Sequence, residues 1–166
     1  MAPIIRIIEE PLKLLGRNRV ECVIIGGVAA AIHGSLILTN DLDVCYARNP
    51  ENLNRLAVAL QSVNAKLRNA PPDLPFILDA ETLKHGLNFT FATDAGSIDL
   101  FGEVRGVGCF EDVVSGAAMY EFFGYSFPVI DIEKLITAKR TAGRAKDMIA
   151  VVELEAILDR KTSAED

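Results

Sequence analysis

The residues best equipped for chemistry begin in the stretch Cys22 to Tyr46, CVIIGGVAAAIHGSLILTNDLDVCY, where an apolar run ends in Gly26-Gly27 and thirteen intervening residues lead to Asp41 and Asp43. In a strand, residues i and i+2 share a face, so these two carboxylates project together while Leu42 and Val44 project the other way. Adjacent carboxylates repel unless a cation sits between them, and oxygen ligands suit magnesium or manganese. A strand ending in two residues without Cβ can turn sharply into a helix and let a ligand approach the backbone. The first turn of that helix offers unpaired N–H groups and a positive dipole end. Together these features suit a metal-bound triphosphate. A glycine turn beside two solvated aspartates would show the same short pattern, and a third carboxylate weighs against that reading. In SIDLF, alternation puts Ser97, Asp99 and Phe101 on one face and Ile98 and Leu100 on the other, so Asp99 is a carboxylate in an apolar strand and the obvious third ligand.

A basic cluster supplies the opposite charge. EKLITAKRTAGRAKD crowds Lys134, Lys139, Arg140, Arg144 and Lys146 into thirteen residues of an otherwise acidic chain. A charge run is ordinarily a solvated helical face. Beside an acidic metal–nucleotide site, however, some group must counter the phosphates, and Lys139 and Arg144 near a helix break are the first choices. Asp147 is expected to pair with a neighbouring basic side chain rather than join the metal ligands. His33, a lone histidine after an apolar helix, reads as structural.

The elements that must position these residues follow from periodicity and punctuation. Ile4 to Leu15 has helical spacing, with Pro11 expected to kink or divide it and Gly16 to end it. Val20 to Ile25 is a strand apolar enough to be buried on both faces. Val28 to His33 forms a short helix stopped by Gly34, and Leu36 to Tyr46 contains the strand of the paired aspartates. Asn49-Pro50 starts a helix with a buried stripe of Leu53, Leu56, Ala57, Leu60 and Val63. Asn69 to Pro75 is a loop, and Asp79 caps a short helical turn through Lys84. Leu87 to Phe91 and Ser97 to Phe101 form a hairpin turning at Asp94-Ala95-Gly96.

Gly102 to Gly108 reads as a mobile loop near the site. A second hairpin spans Tyr120 to Ile130 around Gly124. Asp131 caps the helix that Gly143 closes, and a last helix runs from Ala145 to Leu158 with Met148, Val151, Val152 and Ile157 buried, before a frayed tail from Lys161.

The 166 residues fit one domain, 1–166, with a core that needs no staples. Half the residues are hydrophobic and mean hydropathy is +0.25, apolar enough to suggest a homodimer or another partner. A net charge of −6 argues against a chain that coats nucleic acid non-specifically, and leaves room for a local basic patch. Cys22, Cys45 and Cys109, odd in number and within apolar runs, read as reduced core residues rather than a disulfide or zinc framework. Charged residues interrupt the N-terminal apolar run and no stretch reaches a membrane span, so the expected location is cytoplasmic.

These motifs resemble the nucleotidyltransferase superfamily that includes DNA polymerase beta. Its pattern of Gly-Gly or Gly-Ser followed by Asp-x-Asp is matched by Gly26, Gly27, Asp41 and Asp43, and its later strand aspartate by Asp99. More narrowly, GGVAAAIHG, TNDLDV, SIDLF and KLITAKRTAGRAKD resemble small proteins related to the AbiEii toxins and minimal nucleotidyltransferases, over roughly Val20 to Leu158. The resemblance implies an α/β fold with a short mixed β-sheet flanked by helices. It implies transfer of a nucleoside monophosphate from an NTP to a hydroxyl on a protein, a tRNA or a small molecule, with Mg2+ or Mn2+ as cofactor. Asp41 and Asp43 would bind two metal ions, Asp99 would share one of them and help deprotonate the acceptor, and Gly26 and Gly27 would bind triphosphate. A toxin that works with an antitoxin partner is one biological form of such an enzyme. The related small proteins often carry Arg-x-Thr-x-Asp-x-Asp, whereas this chain has Ile37 in ILTNDLD. The alternative is a module that retains the fold and binds nucleotide or protein without transfer.

Overall fold

The two most apolar short runs become the middle of the sheet. In the computed structural model, which describes residues 2–166, β1 (Cys22–Ile25) pairs antiparallel with β2 (Leu42–Tyr46). All four β1 residues are buried, as a continuously apolar strand covered on both faces should be. Beyond β2 lie β5 (Gly96–Phe101), parallel to it, then β4 (Asn88–Thr93) and the edge strand β3 (Lys66–Leu67). Beyond β1 lie β9 (Tyr125–Val129), parallel to it, and β8 (Ala118–Phe122). The result is a seven-stranded mixed sheet in the order β3-β4-β5-β2-β1-β9-β8. Glu103–Val104 (β6) and Gly108–Cys109 (β7) form a separate two-stranded ribbon.

The helices of this α/β fold are α1 (Ala2–Arg17), α2 (Gly26–Ile32), α3 (Pro50–Gln61), α4 (Ala80–His85), α5 (Phe110–Val114), α6 (Ile132–Ala142) and α7 (Ala145–Glu165). Side-chain caps start three of them: Asn49, Asp79 and Asp131 accept from the backbone N–H groups of Asn52, Thr82 and Lys134 at 2.8–2.9 Å. Gly143, at φ 68°, closes α6 in the left-handed conformation and lets α7 turn back against it. Leu42, Val44, Phe91, Ile98 and Leu100 of the sheet are fully buried with Leu12, Leu14 and Leu15 of α1 and Leu56 and Leu60 of α3. Burying each such side chain contributes roughly 1.5–3 kcal/mol. No helix among the described residues is long and apolar enough to cross a membrane.

Several local expectations change. Pro11 does not divide the first helix, and α1 runs past Gly16 to Arg17. Proline removes the N–H that would meet the Ile7 carbonyl, and that carbonyl faces Gly96, where an added Cβ would lie 3.8 Å away. The Gly102–Gly108 segment, expected as a loop, holds β6 and, with Cys109, forms the β6–β7 ribbon. Cys22 and Cys45 are buried, but Cys109, at the end of that ribbon, is exposed, and its thiol donates to Glu111 and Asp112. The buried face of α7 is also rotated. Val151 is inside, whereas Met148 and Val152 are 41% and 68% exposed and Ala150, Leu154 and Asp147 turn inward. Apolar residues surround α7 on several sides, so their period alone does not choose a face. The ion pairs of buried Asp147 choose it. The helix continues to Glu165 in place of a frayed tail, with the Thr162 and Ser163 hydroxyls donating back to the Asp159 carbonyl.

Candidate active site

Strand register brings distant carboxylates together. Parallel pairing of β2 with β5 sets Asp43 opposite Asp99, and antiparallel pairing of β5 with β4 sets Asp99 opposite Thr90. Neighbouring strands lie about 4.8 Å apart, so Asp43 and Asp99 stand side by side on one face. Asp41, two residues before Asp43, joins that face, and its turn is held by the Thr39 hydroxyl donating to the Asp41 carbonyl at 3.2 Å. The same row continues to Arg68, whose backbone N–H donates to the Thr90 carbonyl at 2.9 Å just past β3. From there the guanidinium forks, with Nη1 donating to Asp41 Oδ1 at 2.9 Å and Nη2 to Asp99 Oδ1 at 2.6 Å.

The electrostatics follow from crowding. Burial, then the charges of Asp99 and Asp41, push the Asp43 carboxyl up to about 7 against the opposing pull of Lys139. Burial also raises Asp99, Arg68 counters it, and Asp41 adds to the rise. Gly26 sits at φ 64° and its missing side chain admits the Asp43 carboxylate, since a Cβ there would overlap Asp43 Oδ2. A Cβ on Gly27 would lie 2.6 Å from Thr39 Cβ. The diglycine therefore lets the aspartate strand and the Thr39 turn press against the start of α2.

The cations arrive from the α6–α7 corner. Lys139 is 14% exposed, and burial pulls its pKa below the ordinary value against the charges of Asp147 and Asp43. Arg144 donates through Nε to Asp147 Oδ2 at 2.6 Å and through Nη2 to Oδ1 at 3.2 Å. Burial alone would raise Asp147, but those bonds and the charges of Arg144 and Lys139 hold it below the usual carboxylate range. The pairing expected of Asp147 is thus present. Lys134 and Arg140 turn elsewhere, the first to the Asp112 carbonyl at 2.6 Å and the second to Glu155. His33 meets the Ile130 carbonyl at 2.7 Å, a structural contact.

Two cavities meet at these groups. The larger, about 370 Å³, is lined by Gly27, Ile37, Thr39, Thr90, all three aspartates, Arg68, Lys139, Arg144 and Lys146. The smaller, about 280 Å³, has apolar walls from Ile25, Val104, Ile130, Leu135 and Ala138, with Gly26, Asn88, Glu103 and Arg105 also lining it. Asp43, Phe101, Lys139, Arg144 and Asp147 belong to both. One cavity thus mixes both signs of charge as a metal–phosphate ligand requires, and the other suits an apolar body beside the same carboxylate.

The donor set fits a hard divalent cation in chemistry, being all oxygen and repulsive without positive charge. In position it does not form a closed cage: among the described residues no three acidic, histidine or cysteine side chains stand ready to hold a metal. Arg68 already spans two of the three carboxylates. Sequence reasoning missed Arg68 because it follows a two-residue strand, too short for any alternation. Only its register with Thr90 reveals its place.

No family model matches the chain, and no curated protein matches it. Among solved structures, the antibiotic-resistance factor ANT(2'')-Ia aligns over 99% of this chain and 96% of its own, at 13% identity and a TM-score of 0.49. A Thermotoga maritima protein described as a "putative nucleotidyltransferase" aligns over 96% of each chain at 17% identity and a TM-score of 0.50. On that likeness, with the mixed sheet and its flanking helices, the chain has a nucleotidyltransferase fold.

Proposed function

We propose that the chain is a metal-dependent nucleotidyltransferase that moves a nucleoside monophosphate from an NTP to a hydroxyl acceptor and releases pyrophosphate. The observation that carries this reading is the register of Asp43 beside Asp99, with Asp41 on the same face and Lys139 and Arg144 across one cleft. Asp41, Asp43 and Asp99 would hold Mg2+ or Mn2+, and divalent cations bound there would offset triphosphate charge and activate the acceptor hydroxyl. Lys139, Arg144 and the Gly27 backbone face the larger cavity and bind the phosphates, while Gly26 gives Asp43 its room. The acceptor seats its body in the smaller cavity. Its hydroxyl oxygen attacks the α-phosphorus, its proton passes to Asp99, and the bond to pyrophosphate breaks. A protein, tRNA or small-molecule hydroxyl is each a candidate acceptor, and a toxin acting on one of the first two is a biological form of the same chemistry.

Purified protein with labelled NTP, Mg2+ and cell extract should label an acceptor, and Asp43→Ala should abolish the label. Labelling that persists in Asp43→Ala overturns the site assignment. A second reading, nucleotide binding without transfer, is favoured by the Arg68 guanidinium between two carboxylates and by uncharged Ile37 in the cleft. It predicts Mg2+-dependent nucleotide binding with no labelled acceptor.

A further inference from the structure

We propose that Arg68 is an internal occupant of the cation site: it holds Asp41 and Asp99 together in the metal-free protein, yields them to divalent cations, and passes to the phosphates of the incoming nucleotide. This inference rests on the reading of the site as a metal–nucleotide centre.

The bridge has the character of a substitute cation. Its two N–H groups go to carboxylates on different segments, Asp41 before β2 and Asp99 in β5, instead of clasping one of them. Both acceptors flank Asp43, and the other buried cation nearby, Lys139, lies 4.0 Å from Asp147. The guanidinium therefore supplies positive charge where three carboxylates would otherwise face one another. With a divalent cation present, that attraction becomes repulsion between like charges a few ångströms apart.

The backbone makes the move a side-chain event. Arg68 N–H is tied to Thr90 O at 2.9 Å, so its Cα keeps its place at the sheet edge. Among the described residues its side chain makes only the two carboxylate bonds, and it remains 23% exposed on the cleft. The other carboxylate on that cavity away from the aspartate trio, Asp147, is already taken by Arg144. A released Arg68 therefore has the arriving phosphates as its partner, and its planar fork matches phosphate oxygens.

The test compares wild type, Arg68→Met and Arg68→Lys for binding of Mn2+ alone and of Mn2+ with a non-hydrolysable NTP analogue, with circular dichroism as a fold control. Arg68→Met is expected to bind Mn2+ alone more tightly, by about tenfold or more, because the two charge-assisted bonds to Asp41 and Asp99 no longer have to be broken. The complex with nucleotide should not share that gain, because the phosphate contact is lost with the same side chain. Arg68→Lys should fall between. An unchanged or weaker affinity for Mn2+ alone, or an equal gain for both ligands, overturns the proposal.

Should Arg68→Met fail to fold, NMR of the wild-type guanidinium decides. Its hindered Nη signals should be lost on adding Mg2+ and return shifted when the analogue is added, and signals indifferent to saturating Mg2+ overturn the proposal. Wild type that binds neither Mn2+ nor the nucleotide complex brings down the functional reading as well. Binding that needs Asp43 but ignores Arg68 brings down this inference alone.

Discussion

Asp43 concentrates the tension of the site. Gly26 makes room for its carboxylate, Asp99 lies opposite it in the next strand, and among the described residues no side chain donates to it as Arg68 does to its neighbours. In the folded protein its proton is held up to about 7, whereas the unfolded chain releases it near 3.8. Between those values the unfolded chain binds fewer protons than the folded one, so the metal-free protein loses stability as pH rises through that window. Asp43→Asn removes the penalty. Its melting temperature in chelator should exceed that of wild type at about pH 8, and the difference should vanish toward about pH 4. A wild type that melts higher than Asp43→Asn at about pH 8 would show that the buried charge is already compensated.

At the scale of elements, the sheet depends on a polar connection as well as its apolar core. Asn52, fully buried in α3, accepts from the Glu21 N–H at 2.7 Å and donates to the Glu21 and Ala47 carbonyls at 2.9 and 2.6 Å. It ties the start of β1 to the end of β2, the strand that carries Asp43. Asn52→Ala removes the partners of the Glu21 N–H and the Ala47 carbonyl, while the Glu21 carbonyl keeps the Ala47 N–H at 3.1 Å, and should cost about 3 kcal/mol, a drop in melting temperature of roughly 6–12 °C, read by calorimetry. Alternation and capping made much of this framework legible beforehand: Ile98 and Leu100 inward with Asp99 outward, and Asn49, Asp79 and Asp131 at helix starts. The paired aspartates, Asp99, Lys139 and Arg144 were also legible, because carboxylates in apolar strands and cations at a helix break are local anomalies. Arg68 was not, since its role depends on register across β3, β4 and β5. Nor was the inward face of α7, where the ion pairs of Asp147 override the apolar period, or exposed Cys109, whose ribbon is too short to show a pattern.

Across the whole molecule, the two cavities meet along Asp43, Phe101, Lys139, Arg144 and Asp147 but divide in their remaining walls, Asp41, Arg68, Asp99 and Lys146 lining only the larger and Ile25, Val104, Ile130 and Leu135 only the smaller. That division predicts that the two substrates can be perturbed independently. Ala142 borders only the smaller cavity and is exposed at the end of α6. Ala142→Trp should raise the KM for the acceptor about tenfold or more while leaving nucleotide affinity near wild type, measured by steady-state kinetics and equilibrium binding. Loss of nucleotide affinity in that variant would assign the smaller cavity to the nucleotide instead. The proposed function requires Asp41, Asp43 and Asp99 to form the cation site of a transferring enzyme. Its most direct test is anomalous scattering from Mn2+ in crystals grown with a non-hydrolysable NTP analogue. Manganese is expected about 2.1 Å from oxygens of all three carboxylates and of the triphosphate. Manganese bound to the triphosphate away from these aspartates, with Arg68 still joining Asp41 to Asp99, would contradict it.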